Sequence, residues 1–459
     1  MRKYLFAVVA LLMALTAAAQ AKYVFYFIGD GMGLGHINAT EQYRRDVLKT
    51  PEPLLMLTFP YGTVATSYSA SSPITDSAAA GTALSTGRKT RNSMVGMASD
   101  TTNVYSIASD FLKQGRAVGI VTSVAGDDAT PAAFYAHAPE RHMSREISGF
   151  APRSGVQFFG APMFRGMYDS KKNPTDWVER MKKAGYRLVH SAQEYLDGAR
   201  EGEKTLMLAA KPQGEQLGYT LDAVDGALTL QEMTETALVN LSTDPDGFFM
   251  MVEGGNIDWA AHANDGASVI REILNFQNAI DVAYRFYLAH PDETLIVITA
   301  DHDTGGMAVG RADNAKNPRL DLIAFQKISK DRFADWCRDN YKDKAPTWEE
   351  MRSFLEQNLS LWQGIGITGE EEKVIRESFD ATFITHRAKD QKTLYNDFNN
   401  FTVTLYDILN RHYGIGWTSP SHTSNFTPVY AVGAGAELFS APMNNIDIPV
   451  KILKAAAVK

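Results

Sequence analysis

The chain has 459 residues, of which 45% are hydrophobic and 21% are charged, as in an ordinary soluble globular protein. Its formal net charge of −8 argues against nucleic acid as a specific partner, but allows a small anionic substrate if metal ions supply positive charge. The single cysteine, Cys337, excludes an internal disulfide.

The N-terminal segment has the pattern of a secretory signal peptide. Arg2 and Lys3 precede an apolar run over 4–17, and residues 19–21 (Ala-Gln-Ala) form a small-x-small cleavage site. We therefore expect removal of residues 1–21 and export of the remaining chain to the periplasm or the extracellular space. The apolar run is short for a spanning helix, so we expect no stable membrane insertion after cleavage. A retained anchor is the alternative.

The first predicted strand covers 22–28 and runs into a glycine-rich turn around Asp30. This turn is not a dinucleotide-binding fingerprint, because His36 occupies the place of the third glycine. A glycine-flanked aspartate at a strand end is better explained as a carboxylate that other groups must approach closely.

A second strand is predicted over 61–66, and the alanine-rich segment after Ser77 predicts a helix that begins at Asp76 and Ser77. The N-terminus of a helix offers free backbone N–H groups and positive dipole character, which together favour an anion site. Asp and Ser are also good helix caps, so capping alone would explain the pair.

A third strand, 117–121, is followed by Asp128, Thr130 and a predicted helix that holds His137 and Arg141. The planar fork of an arginine can clamp an oxyanion through two donors. The alternative for Arg141 is a solvated residue at the end of a helix.

Strands and helices continue to alternate over 155–246 and lead to an apolar strand, 248–252, which Glu253 closes. A short unbroken apolar run suits a strand buried on both faces of a parallel sheet. Asp258 and His262 follow at i, i+4, so they share one face if a helix begins there. Asp with His suits zinc, and Glu suits magnesium. An acidic loop with a surface histidine is the alternative.

A long helix is predicted over 266–290, and a buried strand over 295–299 ends in Asp301 and His302. This is a second Asp/His pair at a strand end. In open α/β sheets, ligands collect outside the carboxyl ends of the strands.

The alternation of strands and helices is lost over 311–420, which we interpret as a helical insertion rather than a separate core. His422 then precedes an apolar run, 429–432, that is expected to return to the main sheet. The elements together predict an α/β fold. Its central sheet is largely parallel and flanked by helices on both faces, with the helical insertion before the last ligand candidate.

Each polar group described above has an ordinary structural explanation on its own, but their common position at strand ends predicts that they converge. The converging set provides enough ligands for two zinc ions and one magnesium ion. Two metal ions about 3.5–4 Å apart are the usual clamp for in-line phosphoryl displacement. The candidate ligands are Asp30, Glu253, Asp258, His262, Asp301, His302 and His422.

Six short motifs stand in a fixed order along the chain: 28–33, 75–79, 128–131 with Arg141 after them, 252–262, 299–302 and 421–423. In this order and approximate spacing the sequence resembles the alkaline phosphatase family. The resemblance covers nearly all of 22–459, which is therefore expected to be an alkaline phosphatase-like catalytic domain.

The resemblance implies hydrolysis of small-molecule phosphate monoesters through a phosphoserine intermediate. Ser77 is implied to be the nucleophile, and Arg141 to grip two phosphate oxygens. The implied zinc ligands are Asp258, His262 and His422 for one ion, and Asp30, Asp301 and His302 for the other, which also binds Ser77. The implied magnesium ligands are Asp30, Thr130 and Glu253, with Asp128 touching the waters of the ion. Because the family is often dimeric, a homodimer is expected.

Two positions differ among members of the family, some of which carry His or Lys where this chain has Asp128 and Trp259. An acidic residue at position 128 should favour magnesium over zinc in the third site, because hard oxygen ligands suit magnesium. Trp259 is expected to pack or to form a wall of the site.

Two rival functions are less compatible with the motifs. A sulfatase needs Cys/Ser-x-Pro-x-Arg, which is absent after Ser77, and related phosphodiesterases usually carry a threonine nucleophile and lack the arginine. An exported phosphate-binding or metal-storage protein without turnover would not need Ser77, Arg141 and all the ligands together.

Overall fold

A computed structural model describes residues 20–198, 200–212, 214–312, 317–341 and 344–458. Most of the predicted signal peptide, 1–19, lies outside these ranges. Within them, no helix is both long and apolar enough to cross a membrane.

The strands are β1 (Tyr23–Ile28), β2 (Tyr61–Thr66), β3 (Ala117–Thr122), β4 (Phe158–Ala161), β5 (Tyr186–Val189), β6 (Lys204–Leu208), β7 (Phe248–Glu253), β8 (Thr294–Thr299), β9 (Asp303–Thr304), β10 (Ala308–Val309), β11 (Gln391–Lys392), β12 (Asp397–Phe398), β13 (Ile415–Gly416), β14 (His422–Thr423), β15 (Thr427–Gly433) and β16 (Met443–Asn444).

The α-helices are α1 (Leu34–Tyr43), α2 (Ser77–Thr86), α3 (Ile107–Lys113), α4 (Ala129–Ala132), α5 (Ser144–Ser148), α6 (Trp177–Lys183), α7 (Ala192–Leu196), α8 (Leu230–Leu241), α9 (Asn256–His262), α10 (Gly266–Ala289), α11 (Lys330–Tyr341), α12 (Trp348–Leu359), α13 (Gly369–Phe379), α14 (Asn400–Tyr413) and α15 (Asp447–Ala455). Short 3₁₀ or π turns lie at Arg44–Leu48, Leu55–Thr58, Ala151–Arg153, Arg165–Met167, Thr220–Asp222, Leu320–Phe325, Leu361–Ile365, Asp380–Ile384 and Ala436–Phe439.

The central sheet is largely parallel, as predicted. In the described part of the chain it has ten strands in the order β16-β2-β15-β8-β1-β7-β3-β4-β6-β5. Only β15 runs against its neighbours, β2 and β8. The apolar run after His422 therefore returns to the sheet, but in the opposite direction to the other strands.

Helices cover both faces of the sheet. Side chains along a strand alternate between its two faces, so a strand of apolar residues contributes to a core on each side. On β1, Phe25 and Phe27 belong to one apolar core, whereas Val24, Tyr26 and Ile28 belong to the other. The first core takes α1, α8 and α10, and the second takes α2, α3 and α15. All five side chains are fully buried, and each apolar side chain of this size stabilises the fold by about 1.5–3 kcal/mol.

The insertion predicted over 311–420 is mainly helical where it is described: it contains α11, α12, α13 and α14, together with the short strands β11, β12 and β13. Its side chains Phe333, Leu355 and Phe401 are fully buried and continue the core that lies under α10. The insertion is thus built onto the main core, as expected, while the domain boundaries themselves stay predictions.

The register of the sheet brings the ends of four strands level with each other. Ile28 of β1 lies opposite Glu253 of β7 and Thr299 of β8, and Thr122 of β3 also lies opposite Glu253. The segments that follow these strands therefore leave the sheet at one edge. This common edge is where the predicted ligands lie.

The helix that was predicted to hold His137 and Arg141 is wrong, because α4 ends after a single turn. Both residues lie in irregular backbone, and Ala138 pairs with Val95 in an isolated β-bridge. The next residue, Pro139, disfavours helical backbone at the residue before it and cannot donate a helical hydrogen bond.

Gln20 and Ala21, the last two residues of the predicted signal peptide, pack against the end of α15. The Gln20 Nε2 atom donates to the Ala456 carbonyl at 2.9 Å. The Ala21 N–H donates to the Ala455 carbonyl at 3.0 Å, and the Ala21 side chain is fully buried. These two residues are therefore part of the folded domain.

Candidate metal and phosphate site

Asp30 follows β1 in a turn that brings the backbone against other candidate ligands. Gly31 has a φ of +67°, and a Cβ atom on it would lie 2.6 Å from Asp258 Oδ1. Its N–H donates to Asp301 Oδ1 at 3.0 Å. Glycine is required here by both the left-handed backbone and the close approach, in agreement with the interpretation of the glycine-flanked aspartate.

Ser77 is the first residue of α2 and is fully buried. Asp76 caps the helix, because its Oδ1 accepts the N–H of Ala79 at 3.0 Å. The Ser77 Oγ atom lies 3.1 Å from His302 Nε2. The candidate nucleophile therefore combines a helix N-terminus, which favours anions, with contact to a candidate metal ligand.

His302 is common to two groups of ligand atoms. Its Nε2 lies 3.0 Å from Asp301 Oδ2 and 3.5 Å from Asp30 Oδ1. Ligand atoms of these three residues lie within 4.8 Å of one another. The predicted second zinc set is therefore together in space.

The second group consists of Asp258, His302 and His422, whose ligand atoms also lie within 4.8 Å of one another. His262 adjoins it, with Nε2 at 3.0 Å from His422 Nε2 and 3.4 Å from Asp258 Oδ2. The pairing of β14 with β9 sets His422 opposite Thr304, two residues after His302. The predicted first zinc set thus lies together, and His302 stands between the two sets.

Two backbone carbonyls fix the orientation of the outer histidines. His262 Nδ1 lies 2.7 Å from the Pro420 carbonyl oxygen, and His422 Nδ1 lies 2.8 Å from that of Thr75. Because a carbonyl only accepts, Nδ1 donates in both cases, and Nε2 keeps a lone pair. Such orientation by an outer hydrogen bond is usual for histidines that bind metals.

Four carboxylates of the site are buried, and each has an oxygen atom that accepts no hydrogen bond in the described structure. Burial raises the pKa of Asp30 and Asp301, and it raises that of Glu253 to about 8. Uncompensated buried charges cost several kcal/mol each, so divalent cations fit this donor set. The oxygens that accept no hydrogen bond in the described structure are Asp30 Oδ1, Glu253 Oε1, Asp258 Oδ2 and Asp301 Oδ2.

Oxygen ligands suitable for a harder ion lie on the β3 and β7 side of Asp30. Thr130, in α4, donates from Oγ1 to Asp30 Oδ2 at 3.4 Å. Glu253 accepts a short hydrogen bond from Thr122 through Oε2, which leaves Oε1 unused. A set made only of oxygen atoms is what magnesium prefers.

Two arginines hold Asp128. Arg141 Nη2 donates to Asp128 Oδ1 at 3.1 Å, and Arg165 Nη2 donates to Asp128 Oδ2. Arg165 also donates from Nε to Glu215 Oε2 at 2.6 Å. Burial acts to raise the pKa of Asp128, but the two arginines outweigh it and lower the pKa to about 2. Asp128 is therefore an anion at any working pH.

Arg141 is buried beside the capping residue of α2. Among the described residues its Nη1 has no hydrogen-bond partner, and it lies 3.6 Å from Asp76 Oδ2. Arg141 is thus positioned near the start of the Ser77 helix with one donor unused. The alternative, a solvated arginine at the end of a helix, is excluded, since the side chain is only 8% exposed.

A cavity of about 450 Å³ opens next to Arg141 and Asp128. Trp259 forms part of its wall, as expected, and its ring stacks on Tyr395 from the insertion with the centroids 4.3 Å apart. The lining is mostly polar, and much of it comes from the insertion, including Asp331, Asp335, Arg338 and Asn396.

The sequence model of the alkaline phosphatase family matches residues 21–158 and 162–458. The chain belongs to the alkaline phosphatase family. Membership makes the protein a metal-binding hydrolase of phosphate monoesters, and the resemblance of the six motifs is confirmed.

Individual alkaline phosphatases agree with this assignment. Alkaline phosphatase 3 of Bacillus subtilis is 30% identical over 447 residues, which cover 95% of this chain and 89% of that protein. The structure of a cold-active alkaline phosphatase from a psychrophilic Shewanella is 26% identical, with a TM-score of 0.77 and coverage of 95% and 99%. A His-to-Asp mutant of the alkaline phosphatase from the Antarctic bacterium TAB5, solved with magnesium bound, is 23% identical, with a TM-score of 0.65 and coverage of 96% and 99%.

Several residues of this alkaline phosphatase site were not predicted from the sequence. Thr304 makes a short hydrogen bond to Asp258 Oδ1 and lies 3.2 Å from His302 Nδ1, so it supports one ligand from each set. In the sequence, Thr304 is marked as a candidate site residue only by its position two residues after His302. Arg165 and Tyr395 have no local motif that marks them.

Proposed function

We propose that Ser77 of this alkaline phosphatase attacks the phosphorus of a phosphate monoester and forms a phosphoserine intermediate. The observation that carries the proposal is the 3.1 Å distance from Ser77 Oγ to His302 Nε2, in the middle of the converged ligands. A serine hydroxyl needs activation near neutral pH, and no histidine outside the ligand sets makes a hydrogen bond to Ser77 in the described structure.

We further propose two zinc ions and one magnesium ion per chain. Bound zinc supplies Lewis-acid stabilisation of alkoxide charge and lowers the pKa of a bound hydroxyl group or water. The unused buried acceptors support metal binding, and magnesium in the TAB5 mutant is consistent with an aspartate near the third site. The proposed sets are Asp258, His262 and His422; Asp30, Asp301 and His302; and Asp30, Thr130 and Glu253, with Asp128 on the waters of magnesium.

The proposed reaction has two displacements. In the first, Ser77 Oγ forms a bond to phosphorus while the bond to the ester oxygen breaks, and the alcohol leaves with a proton. In the second, a water oxygen attacks phosphorus, the bond to Oγ breaks, and Ser77 regains its hydroxyl proton. The products are the free alcohol and inorganic phosphate, which together account for the monoester and one water.

Arg141 is proposed to bind two oxygens of the phosphoryl group. A guanidinium offers paired donors that match a phosphate, and charge on the equatorial oxygens grows little but is spread widely in the transition state. Asp128 holds this side chain through Nη2, while Arg165 holds Asp128 from the other side. The pair thereby limits the positions that Arg141 takes before substrate binds.

The polar cavity next to Arg141 is proposed to receive the alcohol part of the substrate. Its position beside Arg141 and Asp128 fits a group that extends away from the phosphoryl site. Ser77, Arg141 and the missing sulfatase motif favour a monoesterase over a diesterase or a sulfatase, which are the alternatives within the superfamily.

The decisive experiment is to trap the intermediate and to compare ester classes. Metal-replete enzyme is incubated with inorganic phosphate, quenched in acid and analysed by peptide mass spectrometry. Phosphate on Ser77 is the expected result, and phosphate on another residue or on none contradicts the proposal. A panel of monoester, diester and sulfate substrates should show the highest kcat/KM for the monoester.

We also propose that the protein is exported and acts as a homodimer. The packing of Gln20 and Ala21 against α15 favours cleavage just before Gln20 rather than after Ala21. N-terminal sequencing of the protein recovered from the cell envelope distinguishes the two cleavage points, and a full-length N-terminus would contradict export by cleavage.

Analytical ultracentrifugation tests the proposed dimer, and a single monomeric species would contradict it.

A further inference from the structure

The insertion sends a short hairpin to the phosphate site. Strands β11 and β12 pair, and the turn between them presents Tyr395. Within the turn, Asn396 N–H donates to Thr393 Oγ1 at 3.1 Å. From α11, Arg338 Nη1 donates to Asn396 Oδ1 at 3.1 Å, and Asp331 Oδ1 accepts from Asn396 Nδ2 at 2.6 Å. The residue next to Tyr395 is thus fixed from two sides.

Tyr395 contacts residues of the site on three sides. Its ring stacks on Trp259 at an interplanar angle of 15° and meets the His262 ring edge-on with centroids 5.3 Å apart. Its phenol oxygen accepts a hydrogen bond from Arg141 Nη2 at 3.4 Å. A side chain of the insertion therefore lies between the proposed phosphate-binding arginine and a proposed zinc ligand.

Tyr395 and Arg141 have more hydrogen-bond donors than there are acceptors near them. A guanidinium only donates, so the phenol oxygen of Tyr395 is the acceptor in its bond to Arg141, and the phenol O–H is left to donate elsewhere. In the described part of the chain no acceptor takes that proton, and Arg141 Nη1 likewise makes no hydrogen bond. Arg141 and Tyr395, which contact each other, thus each keep donor hydrogens without an acceptor in the described structure. A tetrahedral anion with several acceptor oxygens would satisfy both.

We propose that Tyr395 is a catalytic residue that binds the phosphoryl group together with Arg141, by donating its phenol O–H to a phosphate oxygen. The inference rests on the proposed function, since it takes Arg141 as the phosphate-binding residue. The insertion then contributes directly to the binding of substrate and product, besides forming part of the cavity wall. Stacking on Trp259 limits the positions that the Tyr395 ring can take.

The test distinguishes the contribution of the phenol O–H from that of the aromatic ring. Tyr395→Phe keeps the stacking surface and removes the O–H, whereas Tyr395→Ala removes both. Tyr341→Phe is the matched control, because Tyr341 lies in the same insertion and packs edge-on against Trp336 away from the site. Each metal-replete protein is titrated with inorganic phosphate by calorimetry, and KM and kcat are measured with one monoester.

We expect Tyr395→Phe to weaken phosphate binding and raise KM about tenfold or more, as for loss of a hydrogen bond to a charged group, with an unchanged Tm. Tyr341→Phe should bind phosphate as the wild type does. Wild-type affinity in Tyr395→Phe, or tighter binding, overturns the inference even if Tyr395→Ala is impaired, because only the ring would then matter. If Tyr395→Ala does not fold, the Phe variant decides alone.

A parallel measurement on Ser77→Ala keeps the two proposals distinct. If that variant still hydrolyses monoesters at the wild-type rate, the proposed function fails. If Ser77→Ala is inactive and Tyr395→Phe binds phosphate normally, only the inference about Tyr395 fails.

Discussion

The Nε2 atom of His302 lies 3.1 Å from Oγ of Ser77, although the two residues are 225 positions apart in the chain. The contact exists because β8 ends level with β1 and β7, and because α2 directs its N-terminus to the same edge of the sheet. The proposed activation of Ser77 would thus depend on the edge of the sheet and not on a local motif.

Replacing Ser77 by alanine should lower kcat/KM for a monoester by about 10³-fold or more, because the attacking oxygen is lost. Metal content and Tm should stay close to the wild type, since the change removes one atom and leaves Asp30, Asp301 and His302 to hold the ion that is proposed to bind Ser77. Ser85→Ala is the control: Ser85 is a buried serine in the same helix that bonds to the Ala133 carbonyl. Equal losses in both variants would indicate a folding defect.

Removal of metal should inactivate and destabilise the enzyme together. Chelation leaves Asp30, Glu253, Asp258 and Asp301 buried with uncompensated acceptors, so we expect Tm to fall by about 5 °C or more. Elemental analysis of the active protein should give about two zinc ions and one magnesium ion per chain. Full activity after exhaustive chelation, with metal shown to be absent, would contradict the metal assignments.

Changing Asp128 to histidine should move the third site from magnesium toward zinc, because an imidazole replaces the carboxylate that is proposed to hold the waters of the magnesium ion. Protein dialysed against equal concentrations of both ions is analysed for bound metal. We expect the zinc content to rise by about one ion per chain and the magnesium content to fall correspondingly. Asp335→His, at another carboxylate of the cavity, is the control and should leave both contents unchanged.

Lys330 should make the protein more stable as the pH rises above 8. Its ammonium group is buried and donates to the Ala263 carbonyl at 2.7 Å, and burial lowers its pKa from 10.5 to about 8. Between pH 8 and 10.5 the unfolded state therefore binds more protons than the folded state, and the free energy of unfolding increases with pH.

From pH 7 to pH 10, the free energy of unfolding of the wild type should therefore rise by about 2–3 kcal/mol relative to that of Lys330→Met. Denaturant unfolding at several pH values measures it. Lys327→Met, at an exposed lysine of the same segment, should show no such shift. A difference that does not depend on pH would show that Lys330 does not titrate in this range.

Much of the fold and the convergence of the candidate ligands could be predicted because they follow from short-range patterns, whereas the division of the ligands into sets came from the family resemblance. Apolar runs that end in Asp30, Glu253 and Asp301 predict buried strands with carboxylates at one edge, and this is how the chain folds. The prediction failed for the helix around Arg141, where Pro139 and the pairing of Ala138 with Val95 override helical spacing.

The supporting residues could not be predicted, because their roles depend on tertiary contacts alone. Arg165 contacts Asp128, and Tyr395 contacts Arg141 and Trp259, each from a segment without a motif. Nothing in the sequence near Tyr395 shows that the hairpin of the insertion reaches a site formed by α4 and α9.

Strand β15 lies between β2 and β8, although it is nearly the last strand of the chain. A growing polypeptide therefore cannot complete its central sheet until residues close to its C-terminus have been made, and His422 reaches its partners only at that stage. Chains that end before His422 should therefore be inactive, because they lack one candidate metal ligand and the strand that lies between β2 and β8.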